Sequence, residues 1–415
     1  MKELFADRKL VAAMVLCIAI GLLDGFEVIV LGLMAPDIGR DLGISLPFFT
    51  WIFFATSVGT IAGSMLSGLL GDRHGRRTVL ILACFAMAVG MIGDGLSPNW
   101  EILLIARAIT GLGIGAVLPA GTSLIAELAP ARFRAALISV VVVSTTLGAA
   151  ATAVGIHWLE QLTDWRGVFI GAGVASAVIA FFMLLWLPES PAFTKEGRAL
   201  QQEKTAGASE DSSRRASITR VFADGRAVGA LFLCLFFFCY YIWLGFHRAW
   251  QPLMYGTEGE LFAAGRASMA LYGSGVIAGA ILAPILATRW NEQSAIKGAL
   301  LVGTFCLLAL AVVGPARGSA FTILWLVAGC ALYMPFQLAY GVATSYFPPS
   351  SRSMGVALAA VCGRLGSLSG PLLGGALVSA NASVQTILIA AAVPIGVALA
   401  VLFVLQTNLR ARAQD

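Results

Sequence analysis

Charge is scarce in this chain. Asp, Glu, Lys and Arg make up 12% of its 415 residues, with three His besides. Soluble domains are about 25% charged. With 59% hydrophobic residues and a mean hydropathy of +0.87, no soluble core could enclose so much apolar surface. Clustered cysteine is missing too. Cys17, Cys84, Cys234, Cys239, Cys306, Cys330 and Cys362 all fall in apolar runs, without metal-ligand or redox spacing, and read as small packing residues. The sequence offers no catalytic triad, metal cluster or phosphate loop, so neither an enzyme nor a metal site is expected. Asn and Gln are sparse in the apolar runs, which argues against a carrier of neutral sugars.

What fills the chain is a succession of apolar segments. About 20 residues suffice to cross roughly 30 Å of hydrocarbon at 1.5 Å per residue. Twelve spans are expected, at roughly 10–34, 47–70, 77–96, 101–126, 134–158, 166–187, 227–254, 265–288, 295–314, 319–346, 353–379 and 383–406. The first is too long for a signal peptide and lacks a small-residue cleavage site. Basic residues crowd alternate loops: Lys2, Arg8 and Lys9; Arg73, Arg76 and Arg77; Arg132 and Arg134; those from Lys195 to Arg226; Arg289 and Lys297; Arg352; Arg410 and Arg412. The other loops hold only Arg40, Arg166, Arg266 and Arg317. The positive-inside rule makes the first set, and both termini, cytoplasmic. The net charge of +5 is then a property of these loops, and no nucleic-acid partner is expected.

One long polar stretch, Glu189 to Asp224, divides the chain. The expected organisation is an all-α membrane protein with a six-helix bundle at 1–190, a cytoplasmic linker at 191–225 and a second bundle at 226–415. The halves look like repeats. At an offset of 218, Pro130 aligns with Pro348, Arg134 with Arg352, and Leu147-Gly148 with Leu365-Gly366. Parallel six-helix repeats are one way to build an alternating-access transporter.

Spans two and three are joined by GLLGDRHGRRTVL (68–80). Gly71 and Gly75 permit close approach and a tight turn. Asp72 can pair with a basic group or a helix N-terminus, and Arg73, Arg76 and Arg77 can anchor at an anionic leaflet. The loop resembles the signature G-x-x-x-D-R-x-G-R-R of the major facilitator superfamily. The resemblance implies twelve helices in two pseudo-symmetric bundles, with this loop latching the halves on the cytoplasmic side. The matching loop of the second half, LATRWNEQS (286–294), is degenerate, with Thr288 in place of the acid and Asn291 in place of the second glycine. Span four, ARAITGLGIGAVLPAGTSLIAE (106–127), resembles the family's R-x-x-x-G-x-G motif, often tied to proton coupling. Arg107 would lie about 10 Å from the outer end, where a structural ion pair is the competing reading. Glu127 closes this helix and is a candidate gate partner of the arginines nearby, Arg134 among them.

Arg364, in GRLGSLSGPLLGG (363–375), falls roughly 17 Å from the cytoplasmic end of span eleven, near the midplane. Span seven crowds Tyr240, Tyr241, Trp243, His247, Arg248, Trp250 and Gln251 into a few turns, and span ten adds Tyr333, Gln337 and Tyr340. Aromatic faces can stack a ring, and a cation can hold an acid group.

Span one contains LLDGFEVIV (22–30). Asp24 and Glu27, three residues apart, share a helix face inside the hydrocarbon. An ionised acid there must protonate, pair or meet water. Counted from a span ending near Met34, Asp24 is near mid-membrane and Glu27 about 10 Å from the outer end. Glu27 is then level with Arg107 and Arg248, and Asp24 with Arg364. The stretch resembles the D-G-x-D motif of the aromatic acid:proton symporter family, as do LPES after span six, W-x-P at Trp250–Pro252 and GRLGSLSGPL in span eleven. The family's two acids fall by position on Asp24 and Glu27. Glu27 replaces the second Asp, Ala120 stands where many relatives have Asn, and His247 and Arg248 precede the Trp where relatives more often carry uncharged residues.

The resemblance implies a monomeric symporter in a bacterial inner membrane, importing a small organic acid with a proton and using no cofactor beyond the proton gradient. Asp24, Glu27 and Arg107 would couple the proton, Arg364 or Arg248 would hold the carboxylate, and the span-seven and span-ten aromatics would stack the ring. The alternatives are a proton-coupled exporter and a sensor that binds such acids without moving them. Drug exporters of this fold usually carry G-P-x-x-G-G in span five, where this chain reads STTLGAAATAVG (144–155).

Overall fold

The computed structural model describes residues 8–130, 132–190, 227–256, 259–314, 318–347 and 352–412. The linker expected at 191–225 and Pro348 lie outside them, as do the side chains of Asp72 and Arg352. Twelve long helices follow one another: α1 (Arg8–Leu42), α2 (Phe49–His74), α3 (Arg76–Leu96), α4 (Trp100–Leu128), α5 (Arg134–Leu162), α6 (Trp165–Trp186), α7 (Ala227–Trp250), α8 (Gly259–Trp290), α9 (Glu292–Val313), α10 (Gly318–Tyr346), α11 (Arg352–Ser379) and α12 (Val384–Arg412). All twelve are long and apolar enough to cross a membrane. Polar caps set several starts. Asn99 accepts from the Ile102 amide at 3.1 Å, and Asp164 from that of Gly167 at 2.9 Å. Each satisfies an amide that the first helical turn leaves open.

One expected boundary is corrected. The first helix does not stop near Met34 but runs through Pro36 to Leu42. Asp41, in its last turn, accepts from Trp165 Nε1 at 3.2 Å and pairs with Arg166 at 2.8 Å, which holds the extension against α6. Glu27 is therefore about 22 Å from the C-terminal end of its helix rather than about 10 Å.

The chain forms two compact units, Met1–Gly207 and Ala208–Asp415. Within the first, α1 packs on α5, α2 on α4, and α3 on α4 and α6. Within the second, α7 packs on α11, α8 on α10, and α9 on α10 and α12. The core of the first unit is apolar and includes Cys17, Ile20, Cys84, Met87, Leu124 and Met183. Cys84 Sγ lies 3.5 Å from Met183 Sδ, a packing role. Large apolar side chains such as Val89, Phe181 and Leu185, and Phe305, Ile323 and Val393 in the second unit, point outward.

The sequence repeat has a structural meaning. Arg134 and Arg352 each open the fifth helix of their unit. Gly148 and Gly366 each mark the place where that helix meets the first. A Cβ on Gly148 would lie 1.9 Å from the Leu22 carbonyl oxygen, and one on Gly366 2.1 Å from that of Phe238. Backbone meets backbone there, which only a residue without a side chain allows. The turns between second and third helices also correspond. Gly75 adopts φ 92° and Asn291 φ 71°. With ψ 153° and 156° both take one extended positive-φ conformation, which strains a residue bearing a Cβ, and the Asn291 side chain caps α9 through the Ser294 amide at 2.9 Å. The degenerate loop has kept the turn while losing the acid.

Gly148→Val and Gly366→Val should each destabilise their unit by about 1–3 kcal/mol, the usual cost of overpacking. Thermal unfolding of detergent-purified protein checks this. Gly171→Val, where an added Cβ meets nothing within 4 Å, should leave the transition unmoved.

Candidate functional site: buried charge in each unit

Among its described residues, the first unit buries one guanidinium. Arg107, on α4, is wholly inaccessible and held from two sides. Nη1 donates to Glu27 of α1 and Nη2 to Asp94 of α3, in two buried ion pairs. Thr110, one turn along α4, donates to the same Asp94 oxygen at 3.2 Å, and the Phe169 ring of α6 lies 4.8 Å from Arg107 Cζ. The planar fork of arginine can serve two carboxylates at once, which a lysine ammonium does less well. Removal from water costs each ion several kcal/mol, so these groups persist only because they are paired. The pairing is incomplete. Glu27 Oε2, Asp94 Oδ1 and Arg107 Nε are buried without a hydrogen-bond partner. Asp24, one turn before Glu27, is buried as well. Among the described residues of this unit, Asp24, Glu27, Asp94 and Arg107 are the buried charged side chains, and Glu27 and Asp94 are the two that pair with Arg107.

A second group gathers at the α2–α3 turn. The Gly75 backbone lies against the Glu189 carboxylate, which would sit 2.6 Å from a Cβ there. Glu189 accepts from the Arg77 amide at 3.2 Å, and Arg77 Nη2 donates to the Leu184 carbonyl at 2.6 Å. Arg76 Nε is 3.5 Å from Glu127, which also accepts from the Ser190 hydroxyl. The arginine pair expected of Glu127 is thus with Arg76. Arg73 and Arg134 are exposed.

The second unit has the opposite balance. Arg248 on α7 and Arg364 on α11 are partly buried, and neither has a carboxylate within ion-pair distance among the described residues. Arg248 shares α7 with Tyr240 and Tyr241. Tyr241 and Tyr340 bring their hydroxyls to 3.4 Å, and the Tyr241 ring lies 6.2 Å from Phe336, which contacts Tyr333 at 5.7 Å. His247 packs on Trp243 at 5.4 Å and on Tyr272 of α8 at 3.9 Å. Gln337 Oε1 and His247 Nδ1 are buried without a hydrogen-bond partner. Other aromatics in the predicted set tie helices together. Tyr240 donates to the Leu332 carbonyl at 2.7 Å, Trp250 to that of Pro371 at 2.9 Å, and Gln251 to Ser268 at 3.2 Å.

Residues 16–345 match the model of the Major Facilitator Superfamily. The chain belongs to this superfamily. It is therefore a multi-pass membrane transporter and not an enzyme. The gallate transporter of Pseudomonas putida is 27% identical over 396 residues, covering 90% of this chain and 88% of its own. The 3-(3-hydroxy-phenyl)propionate transporter of Escherichia coli is 26% identical over 410 residues, covering 99% and 97%. The 4-hydroxybenzoate transporter PcaK of Pseudomonas aeruginosa is 26% identical, covering 93% and 90%. The resemblance drawn from span one thus points to the same relatives. Among solved structures, the inward open xylose transporter XylE of E. coli superposes with a TM-score of 0.74 at 16% identity over 95% of both chains. The nucleoside transporter NupG does so with 0.75 at 12% identity over 96% and 99%. At such identities the likeness is one of fold.

Glu27, expected level with both Arg107 and Arg248, pairs with Arg107, although its helix ends at Leu42 and not near Met34. Arg248 and Arg364 belong to the other unit. Three contributors escaped sequence reasoning. Asp94 stands two residues before the end of α3, where an acid reads as interfacial; its only signal is the pair of flanking glycines. Glu189 lies in the LPES stretch, which carried resemblance but no assigned role. Tyr272 is one aromatic in a run of small residues.

Arg107→Gln should strand two buried carboxylates and cost about 3–5 kcal/mol. Combining it with Glu27→Gln and Asp94→Asn should recover a large part of that loss, as read by thermal unfolding at neutral pH.

Proposed function

We propose that this chain is a proton-coupled symporter that imports a small aromatic or related organic acid anion by alternating access. The observation that carries the reading is the division of buried charge. Among the described residues, the first unit buries Asp24, Glu27 and Asp94 with Arg107, and the second holds two intramembrane arginines without carboxylates at ion-pair distance. An excess of buried acid calls for a proton, and unneutralised arginine for an anion. Tyrosines on the same helix as Arg248 offer ring faces for an aromatic body, which agrees with what the named relatives carry.

In this mechanism Asp24 and Glu27 form the proton-responsive pair. Protonation removes negative charge that would repel an entering anion. Arg364 or Arg248 holds the carboxylate through charge-assisted hydrogen bonds, with Tyr241, Tyr333, Gln337 and Tyr340 shaping the remainder. Loading of both then favours closure on the outer side and release of the Asp72 loop, whose turn is braced by Glu189. The basic loops support a bacterial inner-membrane setting with both termini in the cytoplasm, and a monomer suffices for this cycle.

Uptake into membrane vesicles tests the reading against benzoates, hydroxybenzoates, phenylpropionates and ring-cleaved dicarboxylates. Saturable uptake of at least one, stimulated by an inside-alkaline gradient, is expected. Asp24→Asn should abolish the stimulation, and Arg364→Gln should raise KM by about 30-fold or more, the equivalent of about 2 kcal/mol. Saturable sugar uptake, efflux of cationic drugs, or acid binding without transport would each refute it.

A further inference from the structure

We propose that Asp94 is a positioning residue for the proton: by competing with Glu27 for Arg107, it makes protonation of Glu27 affordable and sets the pH at which that acid is loaded. This rests on the proton-coupling reading above and goes beyond it in assigning the partner that permits it. The two carboxylates take separate arms of one fork, Glu27 on Nη1 and Asp94 on Nη2. With Asp94 present, a proton arriving on Glu27 leaves Arg107 still neutralised, and the group of three passes from one net negative charge to none. With Asp94 absent, the same proton would strand Arg107 as a bare cation in a site closed to water. That state costs several kcal/mol, so Glu27 would stay ionised.

The groups around this centre are few. Helix α1 contributes Asp24 and Glu27, α4 contributes Arg107 and Thr110, and α6 contributes the Phe169 ring. Arg166, at the start of α6, bonds the Gly95 and Ser97 carbonyls at 3.1 and 2.7 Å and is paired with Asp41. The charged residues of α2, Asp72, Arg73 and His74, lie in its last turn, at the opposite end of α3 from Asp94. Helix α5 carries Arg134 at its start and His157 and Glu160 near its end. The buried oxygens left without hydrogen-bond partners, Glu27 Oε2 and Asp94 Oδ1, are where a proton can be received. Of the two acids, Asp94 is the one that accepts from the Thr110 hydroxyl, at 3.2 Å, and the same hydroxyl lies 3.1 Å from the Ala106 carbonyl.

The test is the pH dependence of vesicle uptake, with infrared titration of the carboxylic-acid band of purified protein as a readout independent of transport. Glu27→Gln identifies the Glu27 band. Asp94→Asn should shift the pH of half-maximal uptake, and that band, to the acid side by about 1 unit or more. Asp94→Glu should restore both. Thr110→Val removes one donor from Asp94 and should give a smaller shift in the same direction, which keeps the test open should Asp94→Asn fail to fold. If the parent protein transports with pH dependence but Asp94→Asn, or Thr110→Val where Asp94→Asn does not fold, keeps its midpoint, Asp94 is only structural and the proposal is overturned. A parent protein with no pH dependence would overturn the proton-coupling reading itself.

Discussion

A guanidinium sealed from water organises the first six helices. Arg107 cannot shed its proton, so wherever the fold buries it, acids must follow. They come from two other helices: Glu27 from α1 and Asp94 from α3. Three spans, one of them distant in sequence from the other two, are thereby fixed in register, over and above the van der Waals packing that holds membrane helices together. Phe169 adds a fourth, α6, by presenting its ring to the cation. The extended end of α1, tied to α6 through Asp41 and Arg166, secures the same pair of helices at a second point.

The two units share a backbone plan and differ in electrostatics. Helix order, the glycine contacts between first and fifth helices, and the positive-φ residue between second and third all recur. The buried charges do not. Buried acids and their arginine occupy the first unit, whereas the second carries the partly buried Arg248 and Arg364. A repeat constrained by helix packing leaves its polar interior open to divergence, because packing depends on small residues at the contacts and not on the identity of polar ones.

Most of the architecture was legible in the sequence because the physics involved is local. Span lengths follow from hydrophobic runs. The end of the first helix was not legible, because the hydrophobic run gives out at Met34 while Asp41 holds the remaining turns against α6. Glu27 and Arg107 were legible as a charge pair, since each is conspicuous within its own apolar run. Asp94 was not, because its meaning comes from a residue 13 positions away on the next helix. The aromatic contacts of the second unit were half legible. Span seven announced its rings, but which of them face a ligand and which, like Tyr240 and Trp250, tie helices through carbonyl groups is decided only in three dimensions.

The contact of Gly148 with the Leu22 carbonyl has a mechanical side. Two helices separated by a layer of side chains can slide, because rotamers absorb small shifts. Two helices touching backbone to backbone have no such cushion. Leu22 precedes Glu27 by little more than one turn, so α1 and α5 behave as one stiff lever with the acids set into it. A displacement that begins at a carboxyl group on α1 is delivered undamped along α5, to the far end where Arg134 begins the helix.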